Sequence, residues 1–212
     1  MKKKKLNKNW LHDHINDPYV KAAQKDGYRA RAAYKLKEID EDEHLVKPGQ
    51  VIVDLGCTPG SWGQYVRRKL AGKDGGGING TMIGLDMLPM EPIADVHFIL
   101  GDFRELETLE QLGVVLQGRK CDLVLSDMAP NTVGHRETDH LRIVGLIELA
   151  AAFAIEVLKP GGSFVAKAFQ GGETAQIIRD LKKHFNRVQH VKPKASRADS
   201  SEVFLVATGF KR

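Results

Sequence analysis

Little cysteine and no long apolar run narrow the class of protein that this sequence can encode. Only two of its 212 residues are cysteines, Cys57 and Cys121, and neither belongs to a closely spaced pair of the kind that binds zinc. Two isolated cysteines indicate no disulfide framework, and free thiols favour a location in the cytoplasm. No stretch approaches the roughly 18 apolar residues of a membrane helix, so we expect no membrane partner.

Other sequence signatures are absent as well. The charged start, residues 1–8, is not followed by the apolar segment of a signal peptide, so we expect none. The eight histidines are scattered without the helical spacing of metal ligands, and we predict no metal site. Ser126 lacks the flanking glycines of a nucleophile elbow, which disfavours a serine hydrolase.

Positive charge is concentrated near the start of the chain. The 32 lysines and arginines exceed the 27 acidic residues by five, but residues 1–37 alone hold eleven basic and three acidic side chains. A second basic cluster, Lys192, Lys194 and Arg197, precedes the last predicted strand. A basic segment on a nearly neutral body favours a polyanionic partner such as nucleic acid, bound mostly through phosphate. The alternative is a solvated arm that only aids solubility.

Short apolar runs alternate with amphipathic segments along most of the chain. The pattern predicts strands at residues 51–55, 81–86, 96–100, 122–126, 163–169, 187–192 and 202–208, and helices at residues 17–24, 29–41, 61–70, 104–117, 138–158 and 173–185. The last two strands have no helix between them, so they should pair antiparallel. The predicted fold class is α/β, with a mostly parallel seven-stranded sheet, an antiparallel last strand and helices on both faces.

The same pattern predicts how the chain is organised. We expect a basic, partly flexible arm at residues 1–27 and a single domain at residues 28–212. Five glycines in nine residues indicate a flexible surface loop at residues 72–80. Ligands of open parallel sheets bind at the carboxyl ends of the strands. The polar residues at predicted strand ends are therefore site candidates, and they are Asp54–Trp62, Asp86, Asp102, Asp127 and Lys167.

The turn after the first strand points to a nucleoside. Gly56 and Gly60 permit a tight turn and a close approach of a ligand to the backbone. The G-x-G-x-x-G fingerprint is absent, and Pro59 removes an N–H that a pyrophosphate would use, which disfavours a nicotinamide oxidoreductase. Asp86 can accept hydrogen bonds from a ribose diol, and Asp102 from the amino group of adenine. Carboxylates after the second and third strands, following a glycine-rich turn, are typical of an S-adenosylmethionine site.

Seven segments spread along nearly the whole chain carry recognisable motifs, and they are Arg31–Leu36, Asp86–Met90, Gly101–Arg104, Ser126–Asn131, Phe164–Gly171, Ser196–Ala198 and Glu202–Val203. Together these motifs resemble the FtsJ/RrmJ family of RNA 2′-O-methyltransferases, and most closely its bacterial members that act on large-subunit ribosomal RNA. The resemblance implies the Rossmann-like fold of methyltransferases that use S-adenosyl-L-methionine. The turn departs from the common family pattern, because Cys57, Thr58 and Ser61 replace smaller residues.

The resemblance also assigns residues to roles. The family is marked by a Lys-Asp-Lys-Glu tetrad, which predicts the catalytic residues Lys35, Asp127, Lys167 and Glu202. The predicted cofactor-binding residues are Gly56, Gly60, Trp62, Asp86, Asp102 and Asp127. Our hypothesis is that Lys167 accepts or steers the proton of the ribose hydroxyl, and that Asp127 bridges Lys167 and the cofactor. Lys35 would tune Lys167 and hold the nucleotide, while Glu202 would orient one of the lysines.

The resemblance implies a specific substrate, with alternatives. It implies 2′-O-methylation of a uridine in the A loop of 23S rRNA, within the large ribosomal subunit. We also expect the protein to be a monomer in the cytoplasm. A related enzyme that acts on tRNA or another RNA would carry the same tetrad. A catalytically silent RNA-binding factor of ribosome assembly could keep the fold, although the intact tetrad disfavours this reading.

Overall fold

The structure is a computed structural model that describes residues 16–72, 76–130, 136–171 and 174–212. Its helices are α1 (Pro18–Lys25), α2 (Ala33–Glu43), α3 (Ser61–Leu70), α4 (Leu106–Leu116), α5 (Arg136–Val157) and α6 (Thr174–His184). Its strands are β1 (Gln50–Leu55), β2 (Gly80–Asp86), β3 (Val96–Leu100), β4 (Cys121–Ser126), β5 (Leu158–Phe169), β6 (Phe185–Val191) and β7 (Glu202–Phe210). Most of the predicted arm, part of the glycine-rich loop and Asn131 lie outside the described residues.

The strands form one sheet in the order β3-β2-β1-β4-β5-β7-β6. The first five pair in parallel, while β7 lies between β5 and β6 and is antiparallel to both. The predicted fold class, including the antiparallel last strand, is therefore confirmed. Chain order reverses between β1 and β4, and the crevice outside the carboxyl ends of strands at such a point is where open α/β sheets bind ligands.

Apolar side chains cover both faces of the sheet, because successive residues of a strand point to opposite sides. Val53 and Leu55 of β1 belong to a cluster that includes buried residues of α4, α5 and α6. Ile52, which precedes Val53 on the strand, belongs to a second cluster with buried residues of α2 and α3. These two layers fix the carboxyl ends of the strands, where the candidate residues lie. No helix among the described residues is long and apolar enough to cross a membrane.

Most element boundaries differ from the pattern-based prediction by one or two residues, but two elements begin four or five residues away from their predicted starts. Strand β5 begins at Leu158 rather than residue 163, because Leu158 already pairs with Cys121 before an irregularity shifts the register. Helix α2 begins at Ala33 rather than residue 29. The residues before it bond elsewhere, since the N–H of Arg29 donates to Oε1 of Gln64 at 2.8 Å.

Candidate active site

The loop after β1 needs glycine at two positions for different steric reasons. Gly56 has φ +75°, and a Cβ there would lie 2.9 Å from the backbone nitrogen of Met128, in the segment that follows β4. Gly60 has φ +100°, and a Cβ there would lie 2.7 Å from Ile93 and 2.9 Å from the guanidinium of Arg29. The two glycines therefore let the loop pack against both neighbouring segments at the carboxyl end of β1.

The loop residues that depart from the common family pattern are accommodated by their neighbours. The buried thiol of Cys57 occupies space left by Gly84 of β2, where a Cβ would lie 2.8 Å from its sulfur. Burial, with the nearby charges of Asp54 and Asp86, raises the pKa of the Cys57 thiol well above its usual value. The hydroxyl of Thr58 donates to the carbonyl of Leu88 at 2.8 Å. These departures strengthen the contact between the loop and β2.

Asp86, at the end of β2, binds the loop and keeps acceptor capacity. Its Oδ2 accepts from the N–H of Thr58 at 2.9 Å, and its Oδ1 accepts from the N–H of Leu88 at 2.8 Å. Each carboxylate oxygen can accept a further hydrogen bond. Asp86 can therefore still receive the two hydroxyls of a ribose.

Asp102, after β3, is engaged by a neighbouring cation. The guanidinium of Arg104 donates to both of its oxygens, and the shortest contact joins Nη2 to Oδ2 at 2.6 Å. These hydrogen bonds lower the pKa of Asp102 below its usual value. Arg104 is 59% exposed, so it can move aside for a ligand. Contact between Asp102 and adenine stays a prediction.

Trp62 is placed in the core beneath the loop. It is 2% exposed, and its indole N–H donates to the carbonyl of Ala32 at 2.8 Å. Its ring lies 5.8 Å from that of Phe204 on β7. In this structure Trp62 anchors α3 to the start of α2, and its contact with a cofactor stays a prediction.

Asp54 is the most unusual carboxylate of the site. It is fully buried at the carboxyl end of β1, and neither of its oxygens has a hydrogen-bond partner among the described residues. Burial, reinforced by the negative charges of Asp127 and Asp86, raises its pKa well above the usual value. Three carboxylates therefore meet around the glycine-rich loop. A cofactor with a positively charged sulfur fits the negative charges of Asp127 and Asp86, whereas a pyrophosphate does not.

Lys167 and Asp127 form the first of two lysine–carboxylate pairs. Nζ of Lys167, on β5, donates to the backbone carbonyl of Asp127 at 2.7 Å and lies 2.9 Å from its Oδ1. The orientation at Oδ1 is that of an ion pair and not of a hydrogen bond, since this buried oxygen has no well-aligned donor among the described residues. The Lys167 side chain is 10% exposed, and its ammonium group is thus held at the end of β4.

Lys35 and Glu202 form the second pair. Nζ of Lys35, on α2, lies 2.6 Å from Oε1 of Glu202 and donates to its Oε2 at 2.8 Å. The hydroxyl of Ser196 also donates to Oε1, at 2.8 Å. Burial acts to raise the pKa of Glu202, but Lys35, Ser196 and the charge of Lys167 together lower it below its usual value.

The antiparallel insertion of β7 brings the two pairs together. Glu202, the first residue of β7, pairs with Phe169, two residues beyond Lys167 on β5. The charge of Lys167 accordingly acts on Glu202. All four members of the predicted tetrad thus lie at one edge of the sheet, beside the loop after β1. Asp127 itself donates its N–H to the carbonyl of Leu55, at the end of β1, at 3.1 Å.

Two contributors to the site were not assigned roles from the sequence. The guanidinium of Arg29 donates to the carbonyls of Pro59 at 3.0 Å, Glu91 at 2.6 Å and Pro92 at 3.0 Å, and so ties the loop after β1 to the segment after β2. Ser196 positions Glu202. Arg29 was visible only as one charge of the basic segment, and Ser196 only as part of a motif, because their contacts join residues distant in sequence.

This combination of fold and site defines a class of protein. A mostly parallel sheet with an antiparallel β7, a glycine-rich loop after β1 and carboxylates after β2 and β3 is the Rossmann-like architecture of α/β methyltransferases. The residues present fit a methyl donor that carries a nucleoside, since Asp86 retains acceptor capacity and Asp54 lacks a partner among the described residues.

Comparison with known proteins narrows the class to a family. A family model for FtsJ-like methyltransferases matches residues 28–210, so the chain belongs to that family, as the resemblance predicts. The Ribosomal RNA large subunit methyltransferase E of Janthinobacterium sp. (strain Marseille) is 65% identical over 211 residues, covering 100% of this chain and 99% of the relative. The protein of the same name from Burkholderia lata is 59% identical over 218 residues, with the same shares covered.

A solved structure agrees with the fold. The crystal structure of a Plasmodium falciparum protein, described as a candidate ribosomal RNA methyltransferase, is similar with a TM-score of 0.77 at 33% identity. The match covers 86% of this chain and 98% of that one.

Proposed function

We propose that this protein transfers a methyl group from S-adenosyl-L-methionine to the ribose 2′-oxygen of a uridine in the A loop of 23S rRNA, within the large ribosomal subunit. The observation that carries the proposal is the pair of lysine–carboxylate contacts beside the loop after β1, Lys167 with Asp127 and Lys35 with Glu202. The names of the full-length bacterial relatives support ribosomal RNA as the substrate.

The site suits the chemistry of a hydroxyl nucleophile. When bound, S-adenosylmethionine supplies a methyl group on a positively charged sulfur, which is already activated for transfer. The protein must align the hydroxyl oxygen with that methyl carbon and manage one proton. Lys167, on β5, is suited to manage this proton, because its contacts with Asp127 hold its ammonium group in place.

The remaining tetrad members position the reactants. Lys35 holds the nucleotide, and its own place is set by Glu202, which accepts from Ser196 as well. Asp127 links Lys167 to the loop after β1, since its N–H bonds to Leu55. We propose that the cofactor is bound by Gly56, Gly60, Trp62, Asp86, Asp102 and Asp127.

The basic segment of the chain suits a large RNA. The five lysines of residues 1–8 would bind phosphates away from the reacting ribose. We propose that residues 1–27 act as this arm, that residues 28–212 form the methyltransferase domain, and that the protein works as a monomer in the cytoplasm.

The test is a methyl-transfer assay with labelled S-adenosylmethionine. Wild type and Lys167→Ala are incubated with large subunits from a strain that lacks the modification, with free 23S rRNA and with tRNA, and the label is then mapped. A matched control is Lys183→Ala, because Lys183 also pairs with an aspartate but is 69% exposed on α6. We expect label on an A-loop ribose with wild type and the control, and a loss of at least about 100-fold with Lys167→Ala, in line with loss of a positioned proton-transfer group.

Other outcomes would contradict separate parts of the proposal. Label on tRNA alone would keep the reaction and reject the substrate. Label on a base instead of a ribose would reject the 2′-oxygen as the acceptor. Cofactor binding without transfer to any of these RNAs would favour a silent RNA-binding factor.

A further inference from the structure

The edge of the sheet opposite the candidate active site carries a second concentration of positive charge. The candidate site lies at the carboxyl ends of the parallel strands, whereas β4 and β5 begin at the opposite edge, and the antiparallel β7 ends there. Four exposed cations lie at this edge, and they are Arg119 and Lys120 before β4, Lys182 in the last turn of α6 and Lys211 after β7. These four residues are called the far-edge patch.

Hydrogen bonds bring the members of the far-edge patch to one place although they are distant in sequence. The N–H of Lys211 donates to the carbonyl of His184 at 2.7 Å, and its ammonium group donates to the carbonyl of Lys182 at 3.1 Å. The ammonium group of Lys120 donates to the carbonyl of Glu156, near the end of α5, at 2.6 Å. Because β4 and β7 both pair with β5, these cations flank the beginning of that strand.

Carboxylates do not neutralise the far-edge patch within the part of the chain that the structure describes. Lys120 and Lys211 donate to backbone carbonyls, and Arg119 donates to two carbonyls and one hydroxyl. The side chain of Lys182 makes no hydrogen bond or ion pair with any described residue. Positive charge at the C-terminal end of a helix is favourable in itself. That structural role still leaves the four charges exposed to solvent.

Two further lysines at the same edge differ, because each has a carboxylate partner. Lys159 pairs with Asp122, and Lys183 lies 2.6 Å from Oδ1 of Asp180. The far-edge patch is therefore a surface of net positive charge on a part of the chain, residues 38–212, that is slightly acidic in total. Such a local concentration of one charge favours a polyanionic partner.

We propose that the far-edge patch binds phosphates of a ribosomal RNA segment remote from the ribose that is methylated. The inference rests on the proposed function, because it takes a large ribosomal RNA as the substrate. Exposed lysines and arginines bind phosphates through charge and need no shaped pocket. Strand β1, with six residues, spans about 20 Å between the two edges of the sheet. An RNA that contacts both edges must therefore extend past the full height of the sheet, as a large folded RNA can.

The first test locates RNA beside the patch. Both native cysteines, Cys57 and Cys121, are buried, so a cysteine introduced on the surface can be labelled selectively. Lys182→Cys is labelled with an iron–EDTA chelate, which cleaves nearby RNA through hydroxyl radicals, and is bound to large subunits that lack the modification. We expect cleavage of 23S rRNA at a segment outside the A loop. The matched control is labelled Lys47→Cys, which is exposed before β1, four strands away from β6. It should not cleave that segment.

The second test measures the contribution of the patch to affinity. Lys120→Gln, Lys182→Gln and Lys211→Gln are combined in one variant, and binding is measured over a range of salt concentrations. For the large subunit, the slope of log affinity against log salt should fall by about 2, since each lost phosphate contact contributes up to about 0.9. For a short hairpin with the A-loop sequence, the slope should stay unchanged, as should S-adenosylmethionine binding and the transfer rate at saturating subunit. Lys47→Gln removes one charge from the same edge and should change none of these quantities.

The outcomes separate this inference from the proposed function. If labelled position 182 cleaves no ribosomal RNA although the subunit binds, the patch contacts a protein or serves only the helix ends, and the inference is overturned while methyl transfer can still proceed. Equal losses of slope with the hairpin and the subunit would overturn it as well, because the patch would then act near the target ribose. Cleavage outside the A loop would support the patch even if no methyl group reaches an A-loop ribose, a result that rejects the proposed function alone. Failure of wild type to bind the subunit would reject both.

Discussion

At the scale of single residues, Asp54 is the clearest case of a site residue whose burial lowers the stability of the fold. A fully buried carboxyl group without a partner among the described residues is stable only in its neutral form. Its raised pKa means that the folded chain binds a proton that the unfolded chain, with an ordinary carboxyl pKa near 3.9, has already released. The contribution of Asp54 to the free energy of unfolding should therefore fall as pH rises above about 4, until the folded pKa is passed.

The variant Asp54→Asn should not lose stability in this way as pH rises. An amide has the shape of the neutral acid and does not titrate, so the stability of the variant relative to wild type should rise with pH. The upper limit of this rise is about 1.4 kcal/mol for each pH unit. Urea unfolding without cofactor at pH 5, 6, 7 and 8 measures it, and a difference that does not grow with pH would contradict the argument.

A second buried aspartate supplies the control. Asp40 is 1% exposed, but it accepts from the N–H of Val46 and the hydroxyl of Tyr65, and it lies 3.3 Å from the ammonium of Lys69. Asp40→Asn should lower the free energy of unfolding, by about 1 to 3 kcal/mol, because it breaks a satisfied network.

The sequence predicts which residue types stand at the strand ends, but it does not predict the contacts that each side chain makes. Gly56 and Gly60 follow from the need for a tight turn, and the structure gives both a positive φ. The burial of Trp62 and the engagement of Asp102 by Arg104 were not predictable, because they depend on side-chain directions. Position in sequence indicates that a residue reaches the site, and packing decides whether it faces a ligand.

At the scale of elements, Arg29 connects three segments of the chain. It lies between α1 and α2, in the region that charge alone assigns to RNA, yet its guanidinium bonds to carbonyls of the loop after β1 and of the segment after β2. Arg29→Ala should weaken binding of S-adenosylmethionine by about three- to tenfold, because the exposed setting limits each bond to a modest contribution. Isothermal titration of the cofactor measures this directly.

Arg119 offers a matched control for Arg29. It also donates to backbone carbonyls, those of Leu116 and Val115, but it precedes β4 and so lies at the amino end of the sheet. Arg119→Ala should leave the affinity for the cofactor unchanged. Equal losses in the two variants would mean that Arg29 acts through general stability and not through the loop.

Elements were predicted well where their signals are local. The apolar runs of β1 to β4 and the missing helix before β7 follow from sequence periodicity. The start of β5 could not be predicted in this way, because the Lys159–Gly162 segment has the composition of a turn and yet is part of the strand. Long-range pairing of Leu158 with Cys121 outweighs local preference there.

At the scale of the whole molecule, charge is distributed unevenly between two regions. Residues 1–37 carry a net charge of +8, whereas the chain as a whole carries +5, so the remaining residues are slightly acidic. The site itself is nearly balanced, since each lysine of the tetrad has a carboxylate partner. Most of the affinity for RNA should thus come from regions outside the tetrad, whereas methyl transfer should depend on the tetrad itself.

Replacing the five lysines of residues 1–8 by glutamine tests this division. Each lost phosphate contact should lower the slope of log affinity against log salt by up to about 0.9, while cofactor binding and the transfer rate at saturating RNA stay unchanged. Replacing the same lysines by arginine keeps the charge and should restore the slope. If glutamine leaves the salt dependence unaltered, the arm serves solubility and the affinity must come from the folded part of the chain. RNA affinity and methyl transfer can be separated because phosphate contacts act through charge at a distance, whereas methyl transfer depends on the alignment of three atoms.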